Sequence, residues 1–259
     1  MEALPDPVAD ALQTWLAVHD EFAPGAVEAL YVVGSVALSD WTSHSDVDVV
    51  AVVADPSEPE LAGMLRVAHT AFRGRSDGFV DGPFVGWGDL VVPPMAVHRP
   101  WVLDGEFHLD GESFEINPVT WYTLATYGVT LRGTPPAGIG LHVDEVERKL
   151  WVRENLDTYW RGVGERLVAA IAADERTDGF DGAVLEWTVL GVARMLYTYE
   201  TGDVTSKTGA GEWAARRGPD FGPLLAASIE QRREPGTVTK SLLEEAGEFV
   251  EQVLAIVTR

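Results

Sequence analysis

Cysteine is absent from the 259 residues, so neither disulfides nor thiolate metal sites are available. No apolar run approaches the roughly 18 residues of a membrane span. The opening Met1-Glu2-Ala3-Leu4-Pro5-Asp6-Pro7 has no basic segment leading into an apolar one. No signal peptide is therefore visible, and a cytoplasmic protein that does not enter a membrane is expected. Basic residues are scarce: 19 Lys and Arg stand against 41 Asp and Glu, a formal net charge of -22. Only Arg216-Arg217 and Arg232-Arg233 concentrate positive charge, and both runs are short. A chain this acidic repels a phosphate backbone, so nucleic acid is not an expected partner, whereas a small polycation would be attracted. What is plentiful is core material. The sequence is 46% hydrophobic, with 26 Gly and 15 Pro to punctuate it, enough for one domain or two modest ones.

The chemistry concentrates in one stretch. Tyr31-Val32-Val33 runs into Gly34-Ser35, ten residues intervene, and Asp46-Val47-Asp48 then leads a second apolar run to Val53. That run is β-branched and nearly continuous, which predicts a strand buried on both faces. Side chains alternate along a strand, so Asp46 and Asp48 are expected on one face, with Cα atoms about 7 Å apart. Two carboxylates at that range repel by about 2 kcal/mol at an effective dielectric near 20, and a cation between them would relieve this. Mg²⁺ suits the donors, since it takes oxygen ligands and uses one or two carboxylates together with substrate phosphates. Gly34 permits close approach of backbone to a phosphate, and Ser35 adds donors. Either half of the pattern alone also occurs at ordinary strand ends. The two halves, at this spacing and each beside a strand, point to a nucleotide–metal site.

The rest of the first half reads as a mixed α/β domain. Val8, Leu12 and Leu16 predict an opening helix over 7–22, ended by Pro24-Gly25. Leu61, Met64, Leu65, Ala68 and Phe72 predict another. Residues 79–85 read as a strand in which Pro83 argues for an edge or a bulge. Over 105–117, Phe107 and Leu109, an Asp110-Gly111 turn, then Phe114 and Ile116 read as a hairpin. Asn117-Pro118 opens a helix. From about 142 the pattern becomes helical throughout. Val146, Leu150, Leu156, Trp160, Val163, Leu167 and Ile171 form a stripe with one imperfect step after Leu150. Val184, Thr188, Val192, Met195 and Tyr199 form a second, stopped at Thr201-Gly202. Shorter helices are expected over 209–217 and 223–231, and a last one over 239–257 with Leu242, Ala246, Val250, Val253 and Val257 inward. The expected fold class is α+β: an N-terminal mixed sheet with helices over 1–140, then a C-terminal α-helical bundle over 141–259.

Gly34-Ser35-Val36-Ala37-Leu38-Ser39-Asp40-Trp41-Thr42-Ser43-His44-Ser45-Asp46-Val47-Asp48 resembles the motif of the DNA polymerase β nucleotidyltransferase superfamily. Within it the stretch is most similar to the aminoglycoside nucleotidyltransferases, the streptomycin/spectinomycin adenylyltransferases in particular. Ser39 stands where that family usually has Gly, and His44 is expected to be a structural loop residue. The resemblance extends to Arg194-Met195-Leu196-Tyr197, Thr201-Gly202 and Lys207 in the second half, with Trp213-Ala214 following. It implies a nucleotidyltransferase domain followed by a helical substrate-binding domain, acting as a monomer. It further implies that Asp46 and Asp48 bind Mg²⁺ and that Gly34, Ser35 and Lys207 bind the phosphates of ATP. Register with the family strand places the third carboxylate, as base or further metal ligand, at Asp81, with Glu115 as the alternative. Glu186 and Trp187 fall where the family contacts its aminoglycoside, and Asp178 and Asp181 are further acceptor-side residues. The implied reaction moves AMP from ATP to a hydroxyl of an aminoglycoside and releases pyrophosphate. Two other readings compete with it. One is a transferase acting on a protein or RNA acceptor, as in toxin–antitoxin pairs, against which the separate acidic bundle argues. The other is a non-catalytic binding module, against which the intact Asp46 and Asp48 argue.

Overall fold

The computed structural model describes residues 4–76, 78–109 and 113–258. The chain divides into two compact units, Met1–Asp144 and Glu145–Arg259.

The first unit is built on a sheet. In chain order it holds α1 (Asp6–Phe22), β1 (Val27–Val32), α2 (Gly34–Ala37), β2 (Val47–Val53), α3 (Pro59–Arg73) and β3 (Val80–Val85). Then follow β4 (Trp101–Leu103), β5 (Glu106–His108), α4 (Pro118–Tyr127) and β6 (Val129–Arg132). Among the described residues these strands form one six-stranded sheet in the order β5-β4-β3-β2-β1-β6. Only β2 and β3 run parallel; every other neighbouring pair is antiparallel, so the sheet is mixed. β2 is covered on both faces, as its unbroken apolar run requires. Val47, Val49, Ala51 and Val53 pack with Leu12, Trp15 and Val18 of α1 and with Leu65 and Phe72 of α3. Val50 and Val52 pack on the opposite side with Tyr31, Trp121 and Leu124. Each such valine adds about 1.5–3 kcal/mol by leaving water. The strand carrying the aspartates is thus anchored from two directions.

Two expectations for this unit are corrected. Pro83 does not mark an edge, because β3 lies inside the sheet between β2 and β4. The ladder to β2 pairs Val47 with Val80 and Asp48 with Asp81, then resumes at Ala51 with Phe84. Gly82, at φ 139, forms the local irregularity that lets a residue with no N–H sit in an interior strand. The hairpin is also displaced. Its strands are β4 and β5, and its turn is Asp104-Gly105, with φ values of 52 and 72, the left-handed pair that a two-residue Asp-Gly turn adopts. Asp110-Gly111 lies outside the described residues. Phe114, Glu115 and Ile116 form a turn ahead of α4 rather than a strand. Asn117 caps α4, its Oδ1 accepting from the amides of Val119 and Thr120.

The second unit is helical, with α5 (Glu145–Asn155), a π-helical turn (Leu156–Trp160) and α6 (Arg161–Ala173) forming one continuous rod. A short antiparallel pair, β7 (Phe180–Asp181) and β8 (Thr237–Val238), brackets α7 (Gly182–Thr201), α8 (Lys207–Arg217) and α9 (Gly222–Arg233). The last helix is α10 (Lys240–Val257). α7 touches α5, α8, α9 and α10, and is accordingly apolar nearly all round: Leu185, Val189, Leu190, Val192, Ala193 and Leu196 are all buried. The first predicted stripe needs one correction. Val146 and Leu150 are 67% and 58% exposed, and the buried line runs instead through Arg148, Val152, Leu156 and Trp160. The imperfect step after Leu150 falls beside the π-helical turn. No helix of the described residues is long and apolar enough to cross a membrane.

Candidate active site

The two halves of the sequence motif are joined by backbone. The amide of Val33 donates to the carbonyl of Asp48 at 2.9 Å, seating the Gly-Ser turn against the head of β2. Gly34 has φ 58, and a Cβ added there would lie 1.7 Å from Asp48 Oδ2. Glycine is thus required twice, for the left-handed backbone and for the carboxylate that occupies the side-chain position. Ser35 Oγ is buried and has no hydrogen-bond partner among the described residues. Burying a hydroxyl in this state costs about 1–3 kcal/mol. Ser39 has φ 55, so the position where the resembling family carries Gly does demand a glycine-like backbone, and Ser meets it at a cost of about 1 kcal/mol. His44 is exposed and takes part in its loop through its amide, which donates to Thr42 Oγ1.

Three aspartates gather at the N-terminal ends of the two parallel strands. Asp46 immediately precedes β2 and is exposed, Asp48 is half-buried in β2, and Asp81 pairs in register with Asp48 from β3. Asp81 is only 2% exposed, and both its oxygens are held by the hairpin turn. Oδ2 accepts from the Asp104 amide at 2.8 Å and Oδ1 from the Gly105 amide at 3.1 Å. Burial is the largest influence on its carboxyl and raises its pKa. The two amides oppose that rise, while the charges of Asp46 and Asp104 add to it. Glu115 is half-buried in the turn ahead of α4, its amide bonded to Ser113 Oγ.

Among the described residues, no group of three or more His, Asp or Glu side chains is arranged to hold a metal ion. The donor set nevertheless fits Mg²⁺ delivered with a nucleotide, for which one or two carboxylates suffice once phosphates and water complete the shell. Asp46 and Asp48 supply those carboxylates, and the Ser35 hydroxyl, unpartnered among the described residues, is a donor of the kind a phosphate oxygen accepts from.

In the helical unit, the sequence-derived residues do not form one group: Glu186 and Lys207 meet, whereas Trp187, Asp181 and Asp178 each have other partners. Glu186, on α7 and 9% exposed, faces Lys207 Nζ at 3.0 Å and Arg232 Nη1 at 3.1 Å through Oε1. Lys207 is the first residue of α8, whose N-cap Ser206 accepts from the Gly209 amide. Burial and then the Arg194 charge lower the Lys207 pKa, and Glu186 opposes them. Lys207 and Arg232 thus meet on one carboxylate, and Arg194 lies close enough for its charge to act on Lys207. Arg194, named above only within the resembling segment, and Arg232, named only in a short basic run, could not be placed beside Lys207 from sequence, because nothing in their spacing shows that α7, α8 and α9 converge. Trp187 is 40% exposed and stacks obliquely on Trp160, with ring centroids 4.9 Å apart and Tyr159 beyond. Asp181 is the N-cap of α7 and accepts from the Ala183 amide. Asp178 lines a cavity of about 320 Å³ with Glu230, Gln231, Thr237 and Leu242, a group that does not include Glu186.

Replacing the shared carboxylate tests this cluster. Glu186→Gln leaves two largely buried cations facing each other, and the expected loss of stability is about 2 kcal/mol, reduced from the fully buried case because Lys207 retains some exposure. Urea denaturation measures it, and an unchanged midpoint would show that the cations do not depend on Glu186.

Comparison with known families follows the same division. The nucleotidyltransferase domain family matches residues 14–80, which contain Gly34, Ser35, Asp46 and Asp48. The family described as aminoglycoside adenylyltransferase, C-terminal domain, matches residues 165–256, which contain Glu186, Arg194, Lys207 and Arg232. The chain thus carries a nucleotidyltransferase domain followed by an aminoglycoside adenylyltransferase C-terminal domain. Among solved structures, the fold is similar to that of spectinomycin adenyltransferase AAD(9) from Enterococcus faecialis, solved with ATP and spectinomycin. The TM-score is 0.69 at 13% identity, covering 97% of this chain and 99% of that one. No curated protein matches the sequence.

Proposed function

We propose that the protein is a monomeric, cytoplasmic enzyme that transfers AMP from ATP to a hydroxyl of an aminoglycoside antibiotic, releasing pyrophosphate and conferring resistance. Residues 1–140 act as the nucleotidyltransferase domain and 141–259 as the substrate-binding domain. The observation that carries the reading is the buried, unpartnered Ser35 hydroxyl, next in the chain to Gly34, whose missing side chain leaves room for the Asp48 carboxylate.

Asp46 and Asp48 would hold Mg²⁺, which when bound supplies Lewis-acid polarisation of the phosphates. Ser35 and the Gly34 backbone seat a phosphate of ATP, and Lys207, with Arg194 beside it, offsets charge on the triphosphate. Asp81 accepts the proton of the acceptor hydroxyl as its oxygen bonds to the α-phosphorus and the bond to pyrophosphate breaks. The burial that raises the Asp81 pKa makes it a stronger base than an ordinary carboxylate. Trp187 offers an aromatic face to an ammonium-bearing sugar. Glu186, Asp178 and Asp181 are the carboxylates proposed for its ammonium groups, although Glu186 would have to share its charge with Lys207 and Arg232.

Pyrophosphate release from ATP and Mg²⁺, measured across a panel of aminoglycosides including spectinomycin, tests the assignment. Drug-dependent release with at least one member is expected. Release with none of them, but with a protein or RNA acceptor, would replace it.

A further inference from the structure

The turn that holds Asp81 is itself held by a residue of α3. Gly105 donates its amide to Asp81 Oδ1 at 3.1 Å, and its carbonyl faces His69 Nε2 at 3.0 Å. His69 lies on α3 and is 2% exposed. A carbonyl can only accept, so Nε2 carries the proton. Nδ1 is then bare, and it is buried without a partner. A second residue of α3, one helical turn further on, confines the turn as well. A Cβ at Gly105 would lie 2.7 Å from Arg73 Nε, and the Arg73 guanidinium covers the Phe79 ring at 4.1 Å while donating to the Gly78 carbonyl. A two-residue turn has little else to fix its orientation, because β4 and β5 are three residues each.

We propose that His69 is a positioning residue for nucleotidyl transfer: its Nε2–H anchors the Gly105 carbonyl and thereby aims the two turn amides that orient the Asp81 carboxylate. The proposal rests on the reading of Asp81 given above. His69 touches neither nucleotide nor acceptor and acts only through the turn. An apolar residue of similar volume would fill its place in the core beside Phe72 and Phe107 but would release the carbonyl. Glutamine would retain a donor at similar reach.

The test compares His69→Leu and His69→Gln in the full chain, with Asp81→Asn in parallel. Two readouts are used: steady-state pyrophosphate release, and hydrogen exchange of the Gly105 amide followed by NMR without ligands. For His69→Leu, Gly105 exchange is expected to rise about 10-fold or more as the turn loosens. Its kcat is expected to fall about 10-fold, with the KM for ATP within about twofold, because misplacing a reacting group weakens the chemical step rather than binding. His69→Gln should restore both quantities. His69→Met carries the same expectations should the leucine variant not fold. Unchanged Gly105 exchange in the apolar variants would overturn the proposal, and so would equal losses in the leucine and glutamine variants. Full activity of Asp81→Asn would instead overturn the role of Asp81, and the exchange data would still decide whether His69 holds the turn.

Discussion

Asp48→Asn is expected to lower kcat by about 10³-fold or more, equivalent to about 4 kcal/mol of lost transition-state stabilisation, without lowering the stability of the fold. The carboxylate is half-buried at the head of β2, occupies the space a Gly34 side chain would fill, and pairs in register with Asp81. Replacing it with an amide of the same shape keeps the packing and removes one of three crowded negative charges. Repulsion within the group falls, so the urea midpoint should hold or rise slightly. Asp46→Asn should follow the same pattern, and with less effect on stability because Asp46 is exposed. Pyrophosphate release and urea denaturation on the same preparations separate the two effects. Retained turnover would remove Asp48 from the reaction, whereas lost turnover with lost folding would make it a structural residue.

The second large effect concerns acid. His19 on α1 is fully buried, stacked 3.6 Å from Trp15, and donates from Nδ1 to the Trp15 carbonyl at 2.8 Å. Its Nε2 has no partner among the described residues, so a proton added there would be buried without an acceptor. Burial is the main reason its pKa is lowered from 6.5 to about 4; the Trp15 carbonyl and Asp20 oppose the shift, and His69 adds to it. A lowered histidine pKa means that the unfolded chain takes up a proton below about 6.5 which the folded chain refuses until about 4. Stability is therefore complete above that range and is lost as the pH falls through it. At 1.36 kcal/mol per unit, the loss is about 2 kcal/mol at pH 5 and about 3 kcal/mol in full. His69, whose pKa burial also lowers, acts in the same direction. Urea denaturation at pH 7.5, 6 and 5 should show this decline, and His19→Gln should flatten it. Parallel declines in the two proteins would assign the acid sensitivity elsewhere.

The parts of the fold legible in sequence are those in which local pattern and burial agree. Val47 to Val53 could be read as a doubly covered strand because nothing polar interrupts it after Asp48, and α1, α3 and α10 show their inward residues at helical spacing. Reading failed where two local signals were equivalent or where the deciding partner was distant. Asp104-Gly105 and Asp110-Gly111 are the same turn signal six residues apart, and only the pairing of β4 with β3 selects the first. Pro83 argues against an interior strand unless Gly82 is read with it. Val146 and Leu150 match helical spacing, yet Arg148 is buried in their stead because its guanidinium bonds the Gly202 carbonyl at the far end of α7. The site divides in the same way. Gly34, Ser35, Asp46 and Asp48 are close in sequence and could be read together. Arg232 and His69 act through residues 46 and 36 positions away, a relation no spacing reveals.

The π-helical turn at Leu156–Trp160 allows one rod to serve two neighbours. An α-helix advances about 100° per residue, so a turn that accommodates one additional residue rotates everything after it by about that angle relative to what came before. Upstream, α5 lies against α7; downstream, α6 lies against α10. The extra residue is the phase change between those two contacts. Excising a single residue from 156–160 would rewind the rod to one continuous azimuth. Val163, Leu167 and Ile171 would then swing about a quarter-turn away from α10, with no residue of the downstream seam itself having been altered.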